Sequence, residues 1–426
     1  MTKKIAVIGT GISGLTSAYM LNKEHDVKVY EANDYIGGHT ATKNIVVNDT
    51  PYAIDTGFIV YNEWTYPNFI KLMQTLKVDT QPTEMSFSVK NLKTKMEYNG
   101  NTLNSLFAQR RNIFRPSFWR LVLDIVKFNK LCKAHLAENK ETDNITLQQF
   151  IDQHGLSEIF TQNYILPMCA AIWSTSLEAS ANFPLSFFLK FFNNHGLLNI
   201  TNRPQWFTII GGSKQYIEPL IESYKDKISL NDAVKSVVKI DNGFVIVSEK
   251  GKEIFDEVIF ACHSDQALQM LSAQVQGNIN LPAYSEILAA IPYSMNEVVL
   301  HTDTSVLPKR PLAWASWNYE IEGAKAEASR PAAVTYNMNI LQCLQSDTTF
   351  CVTLNNTQAI SPDKILGTYY YAHPQFSPQM VKAQERRAEI CGKNGIHFCG
   401  AYWYNGFHED GVRSALDVCK RFGASL

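Results

Sequence analysis

A glycine-rich turn between a short apolar run and a stretch of helical spacing constrains this chain more than any other feature. Residues 5–8 (Ile-Ala-Val-Ile) are wholly apolar, the pattern of a strand buried on both faces. They run directly into Gly9-Thr10-Gly11-Ile12-Ser13-Gly14, and the residues that follow, through Leu21, have helical spacing. Strand, glycine turn and helix form the context in which a G-x-G-x-x-G segment binds a dinucleotide. The glycines permit a tight turn and close backbone approach, and the helix N-terminus offers free N–H groups and a positive dipole to a pyrophosphate. A second strand, read over 27–30, ends in Glu31, about twenty residues on, where a carboxylate can bond a ribose hydroxyl.

The bulk properties narrow the classes open to the rest. A chain of 426 residues has room for one very large domain or two to three interleaved ones, with a substantial core. Apolar residues at 45% and charged ones at 19% are ordinary globular values. A net charge of -1 argues against a dedicated nucleic-acid binder. The eight cysteines show neither C-x-x-C pairs nor metal-ligand spacing, so reduced thiols in a cytoplasmic protein without a metal are expected. The N-terminal apolar run is too short for a signal peptide, and no apolar run reaches membrane-spanning length.

Beyond Glu31 comes Ala32-Asn33-Asp34-Tyr35-Ile36-Gly37-Gly38-His39-Thr40. This segment resembles the second fingerprint of the glutathione-reductase-type FAD-binding superfamily and, more narrowly, of its amine oxidase and phytoene desaturase branch. That branch has Arg after the glycine pair; His39 replaces it here and is mostly uncharged at neutral pH. The resemblance implies FAD as cofactor and continues through the chain. It places Asp55-Thr56-Gly57-Phe58 beside the ribityl chain and ring. It makes Gly211-Gly212 a turn opening a helix, sets Val234 against adenine, and returns the strand ending in Ala261-Cys262 to the nucleotide sheet. At the far end, His397 to Tyr402 reads as a strand leading to a loop, and Gly406 to Leu416 opens a helix. There Gly400, Asp410, Gly411 and Val412 match the family's second diphosphate-binding segment, so the helix-dipole device of the N-terminus recurs.

Between these motifs lies the substrate side. Alternation over 85–103 predicts a hairpin turning at Asn99-Gly100. The stretch 106–138 has helical spacing and carries Arg110, Arg111, Arg115, Arg120, Lys127, Lys130 and Lys133 against Asp124, interleaved with Phe114, Phe118, Trp119 and Phe128. Such a helix is either a solvated face over a core stripe or a peripheral contact with an anionic membrane. Thr146 is a candidate N-cap, and a phenylalanine-rich helix over 184–192 is either core or the wall of a tunnel for a long apolar substrate. Residues 228–234 read as one strand and 237–247 as a hairpin. The runs 298–301, 313–319 and 332–336 read as strands of an antiparallel sheet, and 320–331 as an exposed loop.

The expected fold is α/β. A discontinuous glutathione-reductase-type Rossmann FAD-binding domain takes 1–75, 205–270 and 390–426. An α+β substrate domain takes 76–204 and 271–389, with an antiparallel sheet and a helical insertion over about 105–200. His373-Pro-Gln-Phe376, the closing stretch 398–411 and the segment 55–63 resemble one bacterial group of FAD-dependent oxidoreductases associated with cyclopropane-fatty-acid synthases. That resemblance implies an apolar substrate, a fatty acyl chain or lipid, which is desaturated or otherwise oxidised. Amine oxidation and double-bond isomerisation stay open. Amine oxidases place aromatic side chains over the flavin and often a lysine beside it. Tyr402, Trp403 and Tyr404 are aromatic candidates, and no lysine sits in a motif that carries over. His373 is a candidate acid or base. His408 sits beside the last motif, and Cys399, next to Gly400, is either an inert thiol or a covalent flavin link.

Overall fold

The computed structural model describes residues 2–138, 145–272, 281–322 and 332–426 of a mixed α/β chain. The Gly9–Gly14 turn sits at the carboxyl end of the central strand of a five-stranded, wholly parallel sheet. That strand, β1 (Lys4–Ile8), feeds helix α1 (Ile12–Leu21), and the chain returns as β2 (Asp26–Tyr30). Two later strands, β3 (Glu257–Phe260) and β4 (Ile396–Phe398), add on the other side of β1, and Ile228–Ser229 forms the edge beside β2. Ile5, Ala6 and Val7 are fully buried, as a strand covered on both faces requires. The sheet therefore gathers segments from the two ends and the middle of the chain.

A seven-stranded sheet makes the other half. Its order is Ile365–Pro374, Tyr293–His301, Cys351–Leu354, Val334–Asn337, Trp317–Ile321, Phe87–Asn91, Met96–Asn99. All neighbours are antiparallel except Trp317–Ile321 with Phe87–Asn91, which pair parallel. One face carries the helical part of the chain, including α2 (Pro116–Ala137) and α3 (Leu185–Asn194). Phe118, Phe128, Phe188 and Phe192 share a second core with Val89, Tyr98 and Val298. Lys190 is exposed, and the aromatic side chains of its helix turn inward. Thr146 caps its helix as expected, accepting from the Gln149 N–H while Gln149 accepts in return from the Thr146 N–H.

Two local expectations are corrected. The hairpin turns at 92–95, where Lys95 has φ 54°, and not at Asn99-Gly100. Neither Asn99 nor Gly100 takes the left-handed conformation that makes Asn-Gly a turn signal. The buried Asn99 amide instead donates to Trp314 O at 2.8 Å, and Gly100 N–H closes the strand end on Phe87 O at 3.1 Å. The single strand expected over 228–234 is two pieces in different sheets. Asn231 at φ 48° turns the chain, and the Asp232 carboxylate, accepting from Ser229 Oγ and Lys250 N–H, holds the corner. Val234 then begins a three-stranded antiparallel sheet whose first hairpin, Val234–Ile240 with Gly243–Ser248, is the one expected from 237–247. In the stretch expected as a loop, Glu320 and Ile321 belong to a strand, and 323–331 lie outside the described residues.

Candidate active site

The carboxyl ends of the parallel strands converge on the two glycine motifs, the position at which an open α/β sheet binds its ligand. Gly9 takes φ 109°, and a Cβ there would lie 2.9 Å from Ala261 O, so Ala261-Cys262 flanks the turn. A Cβ on Gly14 would fall 2.0 Å from Gly9 O and 3.0 Å from the Ala261 Cβ. Gly38 faces the first turn, its virtual Cβ 3.3 Å from Gly11 Cα, and Gly37 N–H donates to Thr10 Oγ1 at 3.3 Å. Glu31 is buried, accepting from Thr10 N–H at 3.0 Å, Thr10 Oγ1 at 2.5 Å, Asn33 N–H at 2.9 Å and Asn33 Nδ2 at 2.8 Å. Ala32 follows it at the surface, and Asp232 N–H bonds Glu31 O at 2.9 Å, which brings the start of the Val234 strand to the same corner.

The segment 55–58 lies against residues 39–41. A Cβ on Gly57 would sit 2.1 Å from His39 O, and Phe58 N–H donates to the same oxygen at 2.8 Å. Thr56 Oγ1 meets Ala41 O at 2.9 Å and Tyr371 OH at 2.8 Å. The Asp55 side chain turns away, accepting from Thr42 Oγ1, Ser213 N–H and Ser213 Oγ, so it holds the Gly211-Gly212 turn. Burial raises its carboxyl to about 6 against that hydrogen bonding.

The closing helix, α4 (His408–Cys419), brings the far end of the chain to α1: a Cβ on Gly411 would lie 2.6 Å from Ile12 Cγ2 and 3.9 Å from Ser13 N. Val412 is fully buried. Asp410 caps its own helix by accepting from Phe407 N–H at 2.9 Å, and burial raises it to about 7. Its neighbour Glu409, inside the closing motif but given no role from the sequence, accepts from Phe69 N–H at 2.8 Å and Asn68 N–H at 3.2 Å, at the start of the helix Pro67–Leu76. His408 stacks on Phe58 with centroids 3.7 Å apart, and its Nε2 lies 3.1 Å from Thr40 Oγ1 and 3.2 Å from Tyr216 OH. Gly400, just beyond the end of β4, donates its N–H to Ser414 Oγ at 2.8 Å.

Three imidazoles meet where the last strand of the large sheet reaches the parallel sheet. His39 lies 5.5 Å from His373 and 6.2 Å from His263 between ring centroids, with Tyr371 at 5.5 Å. His263 stacks on Tyr293 at 4.3 Å. Burial, then the neighbouring imidazoles, lower His39 to about 3 and His373 to about 4, so both are neutral at physiological pH. His39 bonds the Ala372 backbone, and its buried Nε2 has no partner. A neutral ring that donates to a carbonyl through Nδ1 leaves Nε2 as a bare acceptor. No motif marks His263, although its place just beyond β3, at the carboxyl edge of the sheet, is a usable signal.

The aromatic candidates of the closing motif are less alike than their adjacency suggests. Trp403 is 2% exposed and packs with Phe398 and under the Arg387 guanidinium. Tyr404 OH donates to Asp417 at 2.5 Å, and its ring lies under Arg413. Tyr402, buried beside Tyr293 at 6.4 Å, keeps its hydroxyl without a partner.

Residues 12–334 match the family described as flavin containing amine oxidoreductase. The chain belongs to that family. The cofactor of this flavoprotein is FAD, and the family is one of FAD-dependent oxidoreductases. A curated relative, the flavin-containing amine oxidase A of Canis lupus familiaris, is 26% identical over 247 residues, 57% of this chain and 46% of the dog protein. The chain thus spans about half the length of the curated relatives it matches. Among solved structures, the fatty acid isomerase from P. acnes superposes with a TM-score of 0.69 at 14% identity, over 99% of this chain and 98% of that one. The cyclohexylamine oxidase from Brevibacterium oxydans IH-35A gives 0.66 at 14%, over 99% and 100%.

The residues at the glycine turns fit FAD. A Cβ on Gly11 would meet nothing within 4 Å, and Gly11 leaves α1 without a side-chain cap, so the start of this helix faces open space. Bare helical N–H groups beside open space suit a diphosphate. The unpartnered, buried His39 Nε2, one residue after the Gly37-Gly38 pair, is a second polar atom that no protein group satisfies.

Proposed function

We propose that this flavoprotein oxidises an apolar substrate, a fatty acyl chain or lipid, by removing hydrogen from a C–H bond, with desaturation as the favoured outcome. The observation that supports this reading is the phenylalanine wall of α3 beside the histidine cluster. Phe187 stacks on Phe376 at 5.3 Å, three residues after His373, and Phe191 stacks on Phe407 at 5.3 Å, the residue preceding α4. An apolar chain lies favourably along such a wall, whereas an ammonium ion would lose its hydration against these rings.

In this reading Gly9, Gly11, Ile12, Ser13 and Gly14 hold the FAD diphosphate, Glu31 the ribose, and the backbones of Gly57, Gly411 and Val412 the middle of the cofactor. Discontinuous segments over 1–75, 205–270 and 390–426 then form one Rossmann-type FAD domain. When bound, FAD supplies the two-electron acceptor. The protein orients the acyl chain, keeps water from the Phe187–Phe407 wall, and offers His373, neutral and beside His39, to take the proton released from the substrate. Loss of two hydrogens leaves a carbon–carbon double bond.

Anaerobic mixing of the purified flavoprotein with dispersed phospholipids tests this reading. The expected result is loss of the flavin's visible absorbance and a product two hydrogens lighter by mass spectrometry. Bleaching by primary amines but not by lipid would make it an amine oxidase. A moved double bond with no lasting bleaching would make it an isomerase, the activity for which the P. acnes enzyme is named.

A further inference from the structure

Helix α2 has a buried face and an exposed one that is not polar. Phe118, Leu121, Phe128 and Cys132 turn into the core. On the outer face Trp119, Leu123 and Val126 recur at i, i+4 and i+7 and are 42%, 62% and 46% exposed. The 3-10 turn before the helix adds Phe114 at 84% and Ile113 at 42%. A contiguous apolar strip of this kind is seldom left to water.

The exposed charges that continue the strip along its own face of α2 are basic. Lys130 and Lys133 continue the same face one and two turns beyond Val126, exposed and without a protein partner among the described residues. Arg111 donates to Lys95 O at 2.5 Å, which brings the exposed Lys93–Lys95 turn to the other end of the strip. Asp124, the one acid within α2, is buried and held by Arg120 at 2.9 Å and by Ser157, so its charge is already neutralised. The Trp119 indole N–H donates to Ile113 O at 2.8 Å, leaving only the ring's apolar surface on offer. A second copy docked on this face would set lysines against lysines.

We propose that this face docks on an anionic lipid bilayer, with Phe114, Trp119, Leu123 and Val126 at the acyl boundary and Lys130 and Lys133 at the lipid phosphates. The arrangement is that of an interfacial amphipathic helix, in which apolar burial and attraction to anionic headgroups add. No helix among the described residues is long and apolar enough to cross a membrane, so the contact is with one leaflet. The docking stands independently of the oxidation chemistry, because none of these side chains belongs to the histidine cluster or the glycine turns.

Flotation of the full flavoprotein with vesicles tests it. Vesicles of phosphatidylglycerol and phosphatidylcholine are expected to carry the protein, with partition about tenfold or more weaker on phosphatidylcholine alone. Phe114→Ser with Leu123→Ser, and separately Lys130→Glu with Lys133→Glu, are each expected to lower partition about tenfold or more. Both should keep the flavin spectrum and the rate on detergent-dispersed substrate. Wild-type partition by both double variants, or no binding to either vesicle, would overturn the proposal. So would a dimer in analytical ultracentrifugation that the Phe114 and Leu123 changes dissolve while vesicles go unbound.

Discussion

Several small residues of the site are dictated by the backbone that surrounds them. Gly14 has Gly9 O at 2.0 Å from its virtual Cβ, so Gly14→Ala must push the helix off the turn. We expect it to cost about 3 kcal/mol and to yield protein with little bound flavin, read by absorbance ratio and thermal melting. Asp55 is a residue whose pattern match and structural duty differ. Its carboxyl titrates at about 6 when folded against 3.8 when free, because burial outweighs its hydrogen bonds. The folded chain therefore binds this proton more tightly than the unfolded one. The associated stability is complete below 3.8 and is lost as pH rises to about 6. Asp55→Asn removes this dependence, so the variant should gain on the wild type by on the order of 3 kcal/mol across that window. Urea midpoints at a series of pH values check it.

At the scale of elements, α4 is the device that closes the site, and its hold on β4 runs through Ser414. The Ser414 hydroxyl accepts from Gly400 N–H at 2.8 Å and donates to Gly411 O at 2.9 Å, fully buried. Ser414→Ala leaves the Gly400 N–H unsatisfied, with an expected cost of about 1–3 kcal/mol, measurable by urea unfolding. Flavin dissociation should quicken in step, since Gly400 and Gly411 both belong to the proposed cofactor site. Elements were readable in the sequence where one local signal dominated. The strand-turn-helix of residues 5–21, the Thr146 cap and the hairpin over 237–247 form as the residues suggest. Asn99-Gly100 and 228–234 do not, because a buried amide bonding Trp314 O and a carboxylate corner at Asp232 are contacts between distant segments.

For the molecule as a whole, cofactor and fold are coupled, because both ends of the chain line the proposed FAD site. Added FAD should stabilise the apoprotein by about 2.7 kcal/mol at roughly a hundredfold excess over Kd, seen as a rise in Tm that AMP alone reproduces only in part. Acid acts in the opposite direction. Burial lowers His39 and His408 to about 3, and His195, His301 and His373 to about 4, from 6.5. The folded chain thus binds fewer protons than the unfolded one below 6.5, and stability is lost as pH falls from 6.5 toward 4. Five such imidazoles act against the three carboxyls that burial raises, Asp55, Glu409 and Asp410, so urea midpoints should fall over that interval.

The family and, through its resemblance, the cofactor could be read from residues 5–40 and 398–412, and the glycine turns proposed to cradle it are visible there because a diphosphate site needs backbone shape more than side chains, and glycine spacing records that shape. The histidine cluster could not be read this way. His39, His263 and His373 come from a loop, a strand end and the edge of another sheet, and nothing local to any of them says that the rings of His263 and His373 lie within 6.2 Å of His39. The same holds for α2: periodicity announced a helix, but which stripe faced solvent was decided by the packing of Phe118 and Phe128 against the core. Side-chain chemistry at a site built from distant segments exists only once the chain has closed on itself.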